Sequence, residues 1–184
     1  MTKQKTKRQL KQNPSRQNPP ALRAPSLDKE GTIKKILEIL RKRKWSVGVM
    51  ESCTGGAVAN CITNIPGASD VFGEGKVTYS VEAKIRSGVD KKIIEKYGVA
   101  SKEVAEEMAR KVDHAKSFAF RRTGIGIGVT GNLPGKVFVA VRVGEKVESI
   151  KFKVESKNKD KVEARKEMKE VVVERVINMI IDGI

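Results

Sequence analysis

The chain has 184 residues, enough for one domain with a hydrophobic core, and 39% are hydrophobic against only 4% aromatic, so the core must be built from Val, Ile, Leu, Ala and Met. No apolar run approaches the ~18 residues needed to span a bilayer, and the basic N-terminus lacks the apolar stretch of a secretory signal, so the expectation is a soluble protein with no membrane partner. A net charge of +16 raises nucleic acid as a partner, but the charge is unevenly spread.

Residues 1–27 hold Lys3, Lys5, Lys7, Arg8, Lys11, Arg16 and Arg23, no acid, and four prolines. This composition buries too little apolar surface to offset ordering, and the segment is expected to be a disordered basic arm. It could attract nucleic acid weakly, although no aromatic residue interrupts the charges to stack on a base. The remaining residues carry 31 basic and 22 acidic side chains, interleaved along helices as on solvated faces. Cys53 and Cys61 fall in one strand-to-helix segment and make no disulfide framework, which fits a reduced, cytoplasmic setting.

The expected domain spans residues 28–184, with Ser26-Leu27-Asp28 able to cap a first helix. Ile33, Ile36, Leu37 and Leu40 share one helical face. Trp45 to Met50 reads as a short buried strand, and Val58, Cys61, Ile62 and Ile65 restore helical spacing until Pro66-Gly67. Val71 to Ser80 reads as a strand interrupted by Gly73 and Gly75, and a short helix follows around Lys91 to Lys96. Ser101 caps a longer helix whose inner face is Val104, Met108 and Val112, with Ala105, Ala109 and Ala119 alongside. Three strands are expected at Ile125–Thr130, Lys136–Val143 and Lys146–Val154, the last two joined by the hairpin signal Gly144-Glu145. A terminal helix from about Lys159 to Ile181 buries Met168, Val171, Val172, Val176, Met179 and Ile180. Helices before and after strands predict an α/β fold, a single-domain three-layer α/β/α sandwich on a mixed sheet.

The run Glu51-Ser52-Cys53-Thr54-Gly55-Gly56 stands between a strand and a helix, where glycines let the backbone approach a ligand. A serine there is placed to attack a carbonyl and to have its oxyanion held by unpaired N–H groups at the helix start; the same residues would also serve as an ordinary cap and turn. A phosphate-binding loop of the Gly-Lys-Ser/Thr kind is absent. The only histidine, His114, lies on a charged segment and reads as solvent-facing, which argues against a histidine triad and against a zinc site. A desolvated lysine is the remaining base. Composition does not choose among the lysines, but Tyr79 and Lys84 leave one strand end close together.

Glu51-Ser52-Cys53-Thr54-Gly55-Gly56, Pro66-Gly67-Ala68-Ser69 with Phe72 and Gly75, Val77-Thr78-Tyr79-Ser80 and Glu82-Ala83-Lys84-Ile85 together resemble the CinA C-terminal domain family. Tyr97-Gly98-Val99-Ala100-Ser101-Lys102-Glu103-Val104-Ala105 is similar to a further stretch of that family, and the likeness runs in register from about residue 33 to 181. The resemblance implies a nicotinamide-nucleotide amidase that converts nicotinamide mononucleotide to the nicotinate nucleotide and ammonia. It implies Ser52 as nucleophile, Tyr79 and Lys84 as proton-transfer partners, and Thr54, Gly55, Gly56, Thr130, Gly131 and Arg165 at the substrate. The partner is then a small pyridine nucleotide, and no metal or organic cofactor is needed.

The chain departs from the family pattern in three places. The long Gly-rich loop of the family is reduced to Thr130-Gly131-Asn132-Leu133-Pro134-Gly135-Lys136, Val81 replaces an Asn, and Lys161 replaces the first of two arginines while Arg165 is kept. Two alternatives therefore stay open: a catalytically altered member acting as a nucleotide-binding or regulatory module, and an RNA-associated protein using its basic arm. Whether the protein forms a homo-oligomer is also left open by the sequence.

Overall fold

β1 (Trp45–Glu51) is the centre from which the sheet is built. All of it except the half-buried Trp45 is buried, as befits a strand with parallel neighbours on both sides and helices over both faces. The structure is a computed structural model that describes residues 28–112 and 122–184. The expected arm at residues 1–27, and the expectations for His114 and Ala119, lie outside the described residues.

β1 pairs in parallel with β2 (Phe72–Val77) on one side and β3 (Arg122–Gly131) on the other. β4 (Gly135–Val143) and β5 (Lys146–Val154) extend the sheet antiparallel, giving the order β2-β1-β3-β4-β5. Helices α1 (Lys29–Arg43), α2 (Ala57–Thr63) and α6 (Lys161–Gly183) pack on one face. Their buried Ile33, Leu37, Val58, Ile62, Val172 and Val176 join Val47, Val49, Ile125, Ile127, Val139 and Val141 in the larger core. On the other face α4 (Lys91–Tyr97) and α5 (Lys102–Lys111) enclose Met50, Ile94, Val104 and Met108. The three-layer α/β architecture on a mixed five-stranded sheet is therefore as expected. No helix among the described residues is long and apolar enough to cross a membrane.

Local chemistry sets most boundaries. Asp28 caps α1 by accepting from the Gly31 N–H at 3.0 Å, Ser101 caps α5 through the Val104 N–H, and Asp160 caps α6 by accepting from Val162 and Glu163. Each fills a donor that the helix leaves unpaired. Four details differ from the expectations. α2 spans only Ala57–Thr63, short of the expected Ile65, and Gly55 and Gly56 before it sit at φ +61° and +97°, outside helical geometry. β2 ends at Val77, because Thr78 turns to bond Glu51 through both its N–H and its hydroxyl. The chain then enters an unexpected short helix, α3 (Val81–Arg86), capped by Ser80. In α6, Val171 is 42% exposed, since it falls off the Met168, Val172, Val176, Ile180 stripe, and Val173 and Ile177 are buried instead.

β3 and α5 pack backbone against backbone. A Cβ on Gly126 would stand 2.1 Å from the Ala109 carbonyl oxygen, and one on Gly128 would stand 2.1 Å from that of Ala105. The alternation of Gly with Ile and Val along β3 thus serves two faces. The branched residues fill the larger core, and the glycines admit the helix backbone. Gly128→Ala should lower stability by about 3 kcal/mol, the upper part of the range for overpacking. A urea midpoint equal to that of the wild type would contradict the contact.

Candidate active site

Ser52 follows the last residue of β1, so it stands at the carboxyl end of the central parallel strand. Because β2 and β3 run parallel to β1, their carboxyl ends reach the same sheet edge, the usual place for ligands in such sheets. β2 delivers Thr78 and, through α3, Lys84, while β3 delivers Thr130 and Gly131. The Ser52 N–H donates to the Val129 carbonyl at 2.9 Å and the Thr78 N–H to the Glu51 carbonyl at 2.7 Å, so both neighbouring strands are tied to the Glu51-Ser52 backbone.

Lys84 lies on the first turn of α3, where its own N–H donates to the Ser80 carbonyl. Its side chain runs inward and is fully buried. Nζ donates to the Thr78 carbonyl at 2.6 Å and lies 2.9 Å from Ser52 Oγ. Desolvation pushes the amine below the usual lysine range, with a small opposing effect from Cys53. A neutral amine keeps one lone pair, and with Thr78 taking a donor that lone pair can accept the Ser52 hydroxyl proton. Ser52 is itself 7% exposed and opens onto a cleft of about 330 Å³, within the usual size for small-molecule sites.

The other expected residues divide in two groups. Tyr79, Thr130, Gly131 and Arg165 line this cleft together with Cys53, Val99, Asn132 and Leu133. Tyr79 is 63% exposed, and its Oη accepts from Arg165 Nη2 at 2.9 Å rather than bonding Ser52 or Lys84. Arg165 also donates to the Leu133 carbonyl at 2.7 Å, so one α6 side chain joins the short 131–135 connection to the rim. The Thr130 hydroxyl donates to the Val99 carbonyl and fixes that part of the wall.

Thr54, Gly55 and Gly56 do not reach the cleft lining. Thr54 is fully buried, and the two glycines turn the chain toward α2. The expectation that the helix start binds the oxyanion also needs correction. The N–H groups of Gly56, Val58 and Ala59 all donate to the Glu51 carboxylate, at 3.1, 3.1 and 2.8 Å. Among the described residues, the Cys53 and Thr54 N–H groups meet no acceptor on another residue, and Cys53 lines the cleft. The Cys53 thiol is pushed up to about 11, mainly by burial, so little of it is thiolate near neutral pH. Glu51 and Thr78 were quoted in the sequence motifs but carried no role there. Their contribution is a set of backbone contacts that no spacing rule reveals.

The molecule is thus an α/β domain with a buried serine–lysine pair in a cleft at the carboxyl edge of its parallel strands. The profile of the CinA C-terminal domain matches residues 29–180, and the chain belongs to that family. A competence-damage inducible protein of Caldicellulosiruptor saccharolyticus is 40% identical over 124 residues, covering 64% of this chain and 30% of that protein. One from Thermoanaerobacter pseudethanolicus is 43% identical over 130 residues, covering 66% and 31%. The chain therefore spans less than a third of the length of these relatives. Among solved structures, the competence/damage inducible protein CihA from Agrobacterium tumefaciens superposes with a TM-score of 0.71 at 25% identity, covering 85% of this chain and 96% of that one. A CinA superfamily protein from Klebsiella pneumoniae, at 18% identity and a TM-score of 0.70 over 84% and 96%, shares the fold.

Burial of Lys84 has a consequence for stability. The folded chain releases this proton more readily than the unfolded one, so unfolding takes up a proton and stability rises with pH. The rise spans the interval from the lowered value up to the ordinary 10.5. Lys84→Met removes it. The wild-type urea midpoint should climb relative to that of K84M as pH approaches the ordinary lysine range, and parallel pH curves would contradict the burial of the amine.

Proposed function

We propose that this domain is a serine amidohydrolase acting on the carboxamide of nicotinamide mononucleotide, to give the nicotinate nucleotide and ammonia. The observation that carries the reading is the 2.9 Å approach of a fully buried lysine amine to Ser52 Oγ at the floor of a cleft. Family membership is consistent with it.

In the proposed reaction Ser52 Oγ attacks the carboxamide carbon as its proton passes to neutral Lys84. The oxyanion faces the Cys53 N–H, since the residue after a nucleophilic serine on such a turn is a recurrent donor. Collapse breaks the C–N bond, and the Lys84 ammonium returns the proton to the departing ammonia. Water then attacks the acyl ester, Lys84 takes its proton, and release of the carboxylate restores the Ser52 hydroxyl. Tyr79 and Arg165 stand across the cleft. Arg165 supplies a cation for the nucleotide phosphate, and Tyr79 Oη, already held by that guanidinium, contacts the substrate from the rim.

A second reading, nucleotide binding without turnover, is favoured by one observation. The connection between β3 and β4 is short, and Arg165 is already engaged by Leu133 and Tyr79. Incubation with nicotinamide mononucleotide separates the two. Ammonia release that disappears in Ser52→Ala supports the amidase, whereas calorimetric binding with no ammonia selects the second reading. For the amidase, Lys84→Met should lower kcat by roughly 10²–10⁴-fold, the range for losing a general base, while Cys53→Ala stays within a few-fold of wild type. Because Lys84 acts when neutral, kcat/KM should rise with pH along an acid limb lying below the ordinary lysine value. A rate independent of pH up to that value would count against Lys84 as the base.

A further inference from the structure

Glu51 precedes the nucleophile and is 1% exposed, yet its carboxylate meets backbone amides and no cation among the described residues. Oε2 accepts from Gly56 and Val58, and Oε1 accepts from Ala59. The ring closed in this way contains Ser52, Cys53, Thr54 and Gly55. Glu51 also acts through its main chain. Its carbonyl accepts from the Thr78 N–H at 2.7 Å and from the Thr78 hydroxyl at 3.2 Å, and the Thr78 carbonyl is the one that receives Lys84 Nζ. One residue is therefore bonded to the turn that carries the nucleophile and to the peptide that carries the base.

We infer that Glu51 is a positioning residue for the Ser52–Lys84 pair. Its carboxylate fills the amino end of α2 and holds the 52–55 turn so that the Cys53 N–H is the donor left for the oxyanion. The inference rests on the amidase reading of Ser52. A simple cap would need only a short side chain just before the helix, as Asp28, Ser101 and Asp160 show elsewhere in this chain. Glu51 instead reaches five to eight residues forward and encloses the nucleophile. A glutamine in its place has the same length, but its oxygen can serve only part of the set. Its NH2 would face N–H donors, and the turn must shift to relieve that conflict. Displacements well under 1 Å matter here, because a misplacement of about 1 Å can cost on the order of 10²-fold in rate.

The test is the rate at which Ser52 reacts with a small fluorophosphonate, read by intact mass for wild type, Glu51→Gln, Glu51→Asp and Ser52→Ala. In this reaction the Oγ–P bond forms, the P–F bond breaks, fluoride leaves and the hydroxyl proton goes to Lys84. The expected result is near-complete labelling of Glu51→Gln with a rate constant roughly 10–100-fold below wild type. A purely structural role would reduce the labelled fraction and leave the rate constant of the folded molecules unchanged, and that result overturns the inference. Glu51→Asp keeps the charge but is one methylene too short for all three amides. It is read in the same way and decides the matter if Glu51→Gln does not fold. Wild type that fails to label at Ser52 would overturn the nucleophile reading itself, a distinct outcome from wild-type labelling with an unaltered rate in the Glu51 variants.

Discussion

A lysine amine with no solvent exposure has to be satisfied by what surrounds it, and at Lys84 the surroundings are a carbonyl and a hydroxyl. Keeping an ammonium there would cost several kcal/mol in desolvation. Burial therefore lowers the affinity of Lys84 for its proton, and Nζ stands 2.9 Å from Ser52 Oγ. The property that makes Lys84 unfavourable for stability is thus the one that the proposed role of base requires.

A strand and its two parallel neighbours end at one sheet edge, so residues far apart in the chain, Ser52, Thr78 and Thr130, are delivered side by side. The glycines of β3 let α5 sit against the sheet, which completes the second layer. On the opposite face α6 sends Arg165 over the cleft to Leu133 and Tyr79. The short link between β3 and β4 is held in place by that arginine, so the cleft wall depends on a helix from the far end of the chain.

Much of this was legible from residue order alone. The apolar spacing of α1, the hairpin at Gly144 and the caps at Asp28 and Ser101 are decided within a few residues, and the structure has them where the patterns put them. α3 was missed because six residues are too short for a period to show, and its one local signal, Ser80 followed by Glu82, also fits a turn. Val171 was misplaced because several adjacent apolar residues blur the inner stripe of α6. The family resemblance implies Thr54, Gly55 and Gly56 at the substrate. The left-handed Gly55 and Gly56 instead turn the chain toward α2, and Glu51 takes the amides of Gly56, Val58 and Ala59.

The sequence by itself determined the layers, the family likeness and the identity of a serine at a strand end, since periodicity, capping and short motifs are properties of neighbouring residues. Only the tertiary structure decided that Lys84, among the lysines of the described residues, is the one fully buried, because burial depends on what packs around α3. It also decided that Tyr79 Oη faces Arg165, that the amides at the start of α2 belong to Glu51, and that the Cys53 N–H meets no acceptor on another residue among those described. These are contacts across the sheet edge or across a folded turn, where distance in space bears no fixed relation to distance in sequence.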